Sequence, residues 1–481
     1  MADFIVAIEL GSSKITGIAG KKNLDGSIKV LAVVKEDATS CIRKGVVNNI
    51  DKTVQALSNV IKKLENILKT KIARVYVGVN GQSIRSEKNI IVKQLPADTK
   101  VTVDMVNGLM DANRSMQYPD QEILDAVTQE YKVDNQLQVD PTGFICTRLE
   151  GNFLNILWRK SFYRNLNRCF ENAGIAIAEM YLSPLALADA VLTDAERRGG
   201  CVLVDLGAET TTVAVYYRDI LRHLAVIPLG SNNITKDLTS LQMEDKTAEE
   251  MKLKYAAAYT DSSEIDMGKT YPIDHDRSID MPKFVEIVEA RVQEIIENAW
   301  HQVPDEYVGK LLGGIVLTGG GSNMKEIGKA FKILTHTDKV RIAGSVTTTI
   351  ISKSPAITAK DGTMCTVLGL LAKGNMNCAG SEISDTLFQN EQPVNDAPVQ
   401  PTLTHTTTEN GKGIIKTEAE KAAEEAAKRK QEEEEERRRQ QEAEEEEERR
   451  RKKRENSWFH KAVNGLKSFG RKMVEEEEDE K

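Results

Sequence analysis

The sequence predicts a mixed α/β protein of more than one domain, followed by a polar and charged C-terminal extension. Three observations predict it. Up to about Leu371, apolar strand-like runs alternate with helical patterns, as in mixed α/β domains. Two strand–turn–strand segments, centred on Glu9 and Asp205, repeat one pattern. Beyond Gly374 the composition shifts to Pro, Thr, Asn and Gln, and then to Glu, Arg, Lys, Gln and Ala.

Composition bounds the possibilities. The chain has 481 residues, 40% of them hydrophobic, enough to bury a large core. A formal charge of -8 argues against a general nucleic-acid binder, whose phosphate contacts require a clustered positive surface. The six cysteines are scattered with no C-x-x-C pair, and the six histidines form no H-E-x-x-H, so neither a disulfide framework nor a protein-ligated metal is expected. The N-terminus opens into the strand-like run Phe4-Ile-Val-Ala-Ile8, so no secretory leader is expected. No apolar run approaches the roughly 20 residues that span a bilayer, and any membrane contact is expected to be peripheral.

The first repeated segment reads Val6-Ala-Ile-Glu9-Leu-Gly11-Ser12-Ser13-Lys14-Ile-Thr16. The second reads Val202-Leu-Val-Asp205-Leu-Gly207-Ala-Glu-Thr210-Thr211-Thr212. Each is a buried strand, an acid, a tight glycine turn, small hydroxyl residues and a returning strand. Such a turn suits a polyphosphate: glycine lets backbone N–H groups approach phosphate oxygens, hydroxyls add hydrogen bonds, and the acid holds magnesium through its water shell. Two such hairpins facing each other would clamp the β- and γ-phosphates. A third element, Thr318-Gly319-Gly320-Gly321-Ser322-Asn323, ends a buried strand in a glycine turn expected to lead into a helix. Bare backbone there would let an adenine lie flat, and a helix N-terminus favours phosphate. No G-x-x-x-x-G-K-[ST] occurs, which excludes the P-loop class.

Residues 374–413 read as a linker, and residues 416–454 as a biased charged arm that builds no core. Glu433–Arg437, Glu434–Arg438 and Glu446–Arg450 are helix-supporting i,i+4 pairs, each contributing roughly 0.2–0.5 kcal/mol. The arm reads either as one helix, on the order of 60 Å long, or as a solvated coil. In residues 456–474, Trp458, Phe459, Ala462, Val463, Leu466, Phe469 and Met473 recur at helical spacing. Lys461, Asn464, Lys467, Ser468, Arg471 and Lys472 occupy the other face. Separated from any core by the arm, this amphipathic segment is expected to bind an anionic membrane surface, with an acidic tail at 475–481.

In this order and spacing, the two hairpins and the glycine turn resemble the actin, heat-shock chaperone and sugar-kinase superfamily. Within it the sequence is similar to the bacterial cell-division FtsA family. The resemblance implies an actin-like two-lobed ATPase fold with ATP and Mg2+ between the lobes. Residues 1–82 and 162–200 would form the first lobe, and 83–161, opened by Val75-Tyr-Val-Gly-Val-Asn-Gly81, an FtsA-type inserted subdomain. Residues 201–230 and 315–373 would form the nucleotide core of the second lobe, and 231–314 its upper part. Lys236 lies in the segment opening that upper part, and the adenosine-contacting Glu and Lys of the family fall on Glu249 and Lys252. The resemblance also implies polymerisation into actin-like filaments, other division proteins as partners, and a place on the cytoplasmic face of the inner membrane at the division site. It implies docking of the acidic C-terminal peptide of FtsZ, the tubulin-like ring protein, on the upper second lobe, with Arg291 as the candidate contact.

Two departures stand out. The first acid is Glu9 where actins carry Asp, and the segment 374–454 is longer than in the best-known members. The stretch Glu179-Met-Tyr-Leu-Ser183-Pro184-Leu-Ala-Leu-Ala-Asp189 is largely apolar where superfamily enzymes place a residue that orients water. Hydrolysis is therefore expected to be far slower than the typical turnover of about 1–10³ per second, and the catalytic residue is left unassigned. A kinase of this fold would need a catalytic acid and a sugar loop, and a chaperone a β-rich substrate domain; neither is found. The nearest alternative is a pilus-assembly adaptor resembling PilM, which would lack the amphipathic C-terminal segment.

Overall fold

The computed structural model describes residues 3–380, 411–430, 433 and 437–439. Within residues 3–417 lie two large sheets built on one plan. In the first, Ile5–Leu10, Lys14–Lys22 and Ile28–Asp37 form an antiparallel meander, and Ile5–Leu10 pairs in parallel with Arg74–Val79, which pairs in parallel with Ala176–Leu182. In the second, Cys201–Leu206, Thr211–Tyr217 and Ile220–Ile227 form the meander, and Cys201–Leu206 runs parallel to Gly314–Thr318, itself parallel to Val340–Ile342. The strand order is thus the same in both lobes. The central strands are apolar on both faces because helices cover both, as parallel pairing requires.

Helices supply those covers through one apolar stripe each. In Ile50–Leu68, Asn49 caps the N-terminus by accepting from Lys52 N–H at 3.0 Å. Thr53, Ala56, Leu57, Val60 and Leu64 are then buried at helical spacing. Fully burying side chains such as Leu57, Val60 and Leu64 contributes about 1.5–3 kcal/mol each. The helix lies directly on Gly17, where a Cβ would stand 2.4 Å from Val60. On the second lobe, Met281–His301 buries Phe284, Val288, Val292, Ile295, Ile296 and Ala299. Two further helices, Ser183–Val191 and Cys365–Lys373, pack closely enough that a Cβ on Gly369 would meet Ala186 O at 2.5 Å.

The inserted segment has its own small core of Leu109, Met110, Tyr131, Leu149 and Phe153. Its long strands Arg85–Lys100, Ile145–Arg159 and Gln121–Val133 do not form a separate sheet. They extend the second-lobe sheet through the pair Ala225↔Arg85.

The segment expected to be linker from Gly374 onward is folded at both described ends. Cys378 is fully buried and donates its N–H to Phe4 O at 2.8 Å. The Tyr76 hydroxyl accepts from Asn375 and Met376 N–H at 3.0 and 2.9 Å. Ile414–Ile415 returns as a seventh strand beside Ala176–Leu182. Polar composition hid both because their partners lie far away in sequence. Residues 418–430 are helical and fall in a second unit that begins at Glu418. Of the three expected arm pairs, both members of Glu433–Arg437 fall among the described residues, on helix, whereas Glu434, Glu446 and Arg450 lie outside them. The amphipathic segment 456–474, including Trp458, Phe459, Lys461, Val463, Leu466, Lys467, Phe469, Arg471, Lys472 and Met473, lies outside the described residues, as does the acidic tail. No helix among the described residues is long and apolar enough to cross a membrane. All six cysteines are buried free thiols.

Candidate nucleotide cleft

The two repeated segments close their turns in the same way. Gly11 N–H donates to Lys14 O at 3.0 Å, and Gly207 N–H donates to Thr210 O at 2.9 Å. In each hairpin the acid pairs across the ladder with a threonine, Glu9↔Thr16 and Asp205↔Thr212. Both glycines are needed for closeness: a Cβ would stand 3.0 Å from Lys14 O at Gly11 and 2.7 Å from Thr210 O at Gly207. Ser12 is buried and accepts from Gly45 N–H at 2.8 Å, and Ser13 O accepts from Ala38 N–H. Lys14 is exposed. Thr211 donates to Leu229 O at 2.9 Å, which ties the second hairpin to the chain leading into the helix Ser231–Thr239. That helix starts on the hairpin itself, since Gly207 O and Ala208 O accept from Ser231 and Asn232 N–H.

The third element meets the second acid. Gly319 adopts φ +82°, and a Cβ there would fall 2.2 Å from an Asp205 carboxylate oxygen. At Gly321 a Cβ would stand 2.9 Å from the Leu206 side chain. Between Gly319 and the next helix the structure differs from expectation. Gly320–Asn323 is a single 3-10 turn, in which Ser322 Oγ donates back to Gly319 O at 2.7 Å. The helix Ile327–Thr335 begins only after Glu326, which sits at φ 60°. The glycine turn therefore offers bare backbone, and its tight local hydrogen bonding displaces the helix N-terminus from it. Leu206, Ser231, Ile234, Gly321 and Met324 line an apolar pocket beside this turn.

Glu9 and Asp205 come from different lobes yet lie in each other's field. Burial, and next the facing Asp205, push the Glu9 carboxyl up to about 8; burial pushes Asp205 up to about 6. Lys35 and a hydrogen bond from Thr366 partly oppose the rise at Glu9. Two carboxyls held this far above their ordinary range fit a site whose charge balance is completed by a bound cation. Among the described residues no group of three or more His, Cys, Asp or Glu forms a cation cage. These two acids could face a hydrated cation only through its water shell.

The remaining expected residues separate into two groups. Lys236, on the helix Ser231–Thr239, pairs with Glu209 of the hairpin turn at 3.5 Å, and Glu209 also accepts from Lys44 N–H of the first lobe at 2.7 Å. Lys252 is buried, donating to Thr235 Oγ1 at 2.9 Å and Ser231 O at 3.2 Å, with Glu249 at 2.6 Å. Its donors are committed to holding the helices Ser231–Thr239 and Asp245–Tyr255 together, whereas Glu249 remains more than a third exposed. Arg291, on the helix Met281–His301, is held in a bidentate pair with Asp237 at 2.5 and 2.9 Å and lies beside Glu294.

Several site residues escaped the sequence reading. Lys35 reaches Glu9 because it pairs with Thr16 on the third strand. Glu209 bridges the lobes, and Thr366 bonds Glu9 from the start of Cys365–Lys373. Asn80 donates to Thr212 Oγ1 at 3.4 Å while its own Oδ1 is buried without a partner. Asn80 alone carried a local signal, as a polar residue ending the buried strand Arg74–Val79.

Two family models match the chain: "Cell division protein FtsA" over residues 202–369, and the SHS2 domain inserted in FTSA over residues 81–157. Cell division protein FtsA of Porphyromonas gingivalis is 31% identical over 339 residues, covering 69% of this chain and 71% of that protein. FtsA of Neisseria meningitidis serogroup B is 34% identical over 331 residues, covering 67% and 80%. Among solved structures, a chain of the PilM–PilN type IV pilus biogenesis complex aligns with a TM-score of 0.53 at 14% identity, over 76% of this chain and 97% of that one. That likeness is one of fold: the two lobes and the insertion form an actin-like α/β architecture.

Proposed function

This chain belongs to the FtsA family of actin-like cell-division proteins, and from that premise we propose that it binds ATP with Mg2+ between its lobes and tethers FtsZ polymers to the membrane. The observation that carries nucleotide binding is the pair of matching hairpins, which bring Glu9 and Asp205 into one field from opposite lobes. Gly11, Ser12, Ser13 and Lys14 would cradle the phosphates from the first lobe. Gly207, Thr210 and Thr211 would do so from the second, with Lys236 released from Glu209 to join them. Gly319, Gly320, Gly321 and Ser322 would support the base, with Glu249 at its exposed side. Lys252 would act by positioning Glu249. Closing two lobes on a ligand stabilises the closed form by mass action, so the nucleotide serves chiefly as a structural ligand for polymerisation. Slow hydrolysis is consistent with the buried, largely apolar helix Ser183–Val191.

The acidic C-terminal peptide of FtsZ is proposed to dock on residues 231–314, where Arg291 is the candidate contact. Residues 456–474 would lie on anionic lipid at the cytoplasmic face of the inner membrane, at the division site. The nucleotide reading is tested by titration calorimetry with ATP and magnesium. Asp205→Ala should lose at least about a hundredfold in affinity, on the order of 3 kcal/mol. Because burial already disfavours the Asp205 charge, the substitution should leave the melting temperature intact. Equal affinity in the two proteins removes the assignment.

A further inference from the structure

The returning strand Ile414–Ile415 sits in a built groove between the first lobe and the inserted segment. On the first lobe it pairs antiparallel with the edge strand Ala176–Leu182, Ile415 facing Met180 and Ile414 facing Tyr181. Ile415 is buried to 2% exposure within the first-lobe core. Leu182 N–H donates to Gly413 O at 2.7 Å, and the Tyr163 hydroxyl donates to Lys416 O. On the inserted segment the receiving group is Asp125 of Gln121–Val133, 5% exposed. Its carboxylate accepts from Gly413 N–H at 2.8 Å and Gly411 N–H at 3.2 Å. Both glycines have positive φ, +76° and +75°, and at Gly413 a Cβ would stand 3.0 Å from Leu185. The groove therefore selects Gly-x-Gly followed by β-branched residues.

We propose that residues 411–417 are a strap that staples the inserted segment to the first lobe, and that the C-terminal extension controls the inserted segment through it. The strap is a two-residue strand with one fully buried side chain, and residues 381–410 separate it from the rest of the fold. Such a short element opens at far lower cost than the body it rests on. When it leaves, the Asp125 carboxylate loses two backbone donors while still buried, so the inserted segment must shift to let water reach it. Force or a partner acting on the chain beyond Thr417 reaches the strap before any other part of the body. That the extension is a membrane tether belongs to the function proposed above; the docking itself does not depend on it.

Hydrogen exchange on the full chain tests the strap. In the unaltered protein, the amides of Leu182, Gly413 and Ile415 should be protected. In Gly413→Val their exchange should quicken at least about tenfold, together with that of residues 121–133, while residues 201–217 stay unchanged. Adding an acetylated, amidated peptide of residues 411–417 to Gly413→Val should restore protection in 121–133. If 201–217 also quickens, Ile415→Ala replaces it as the milder variant and must show the same local pattern. Absent protection of residues 413–415 in the unaltered protein overturns the strap. Unchanged exchange in 121–133 on its release overturns the staple. Neither outcome bears on ATP or vesicle binding, which are read separately.

Discussion

Glu9 and Asp205 give the cleft a pH dependence whose sign follows from their burial. Both carboxyls hold protons more tightly in the folded chain than in an unfolded one, Glu9 up to about 8 and Asp205 up to about 6. Their contribution to stability is complete below the ordinary carboxylate range and is lost as pH rises through those values. Without nucleotide, the melting temperature of the unaltered protein should therefore fall relative to Glu9→Gln between about pH 5 and about pH 8. A bound cation reverses the preference by favouring both ionised carboxylates, so binding of Mg·ATP should release protons near neutral pH. Calorimetry in buffers of different ionisation enthalpy measures that release, which should shrink in Glu9→Gln. Binding without proton release would show that Glu9 does not face the cation.

At the scale of the element, the helix Met281–His301 shows how an internal ion pair complicates a charge-reversal experiment. Arg291 spans to Asp237 on the helix Ser231–Thr239 through two hydrogen bonds and also meets Glu294. Arg291→Glu would set three carboxylates together and should cost about 1–2 kcal/mol of stability, independent of any partner. A neutral double variant, Arg291→Gln with Asp237→Asn, keeps the helices joined by uncharged hydrogen bonds. Capture of an acidic FtsZ C-terminal peptide should weaken in both variants, and its salt dependence should decrease. Full capture by the double variant would move the docking surface to another part of residues 231–314.

For the whole molecule, the proposed membrane contact would depend on many weak attachments in parallel. Each basic residue of 456–474 near anionic lipid contributes on the order of 1 kcal/mol, partly opposed by the acidic tail. Gly465 and Gly470 each cost roughly 1 kcal/mol in a helix, so the segment should fold only on the lipid surface. Single chains should therefore bind vesicles reversibly, and filaments should bind firmly by multivalency. Trp458→Glu, or truncation after Glu455, should abolish co-sedimentation with anionic vesicles while ATP affinity stays within about twofold of the full chain. Undiminished co-sedimentation of the truncated chain would place the membrane contact elsewhere.

The sequence by itself determined the two matching hairpins and the alternation of strand-like and helical runs, because each rests on neighbours a few positions apart; the plan of two lobes was legible only through resemblance to a family. An acid, a spacer and a glycine set a turn that closes over three residues, and the stripe Leu57, Val60, Leu64 sets a helix face. Only the tertiary structure decided what meets those local pieces. Lys35 joins Glu9 through strand register, Glu209 reaches Lys44 across the cleft, and Thr366 arrives from the far end of the chain. Arg291, which as a helix charge looks free in sequence, is already committed to Asp237. The returning strand shows the same limit most clearly. Ile414–Ile415 is too short to carry a period, and its pairing with Met180 and Tyr181 spans more than two hundred residues of sequence. Local preference fixes how a backbone turns; which distant edge and which buried carboxylate receive it depend on packing the whole chain at once.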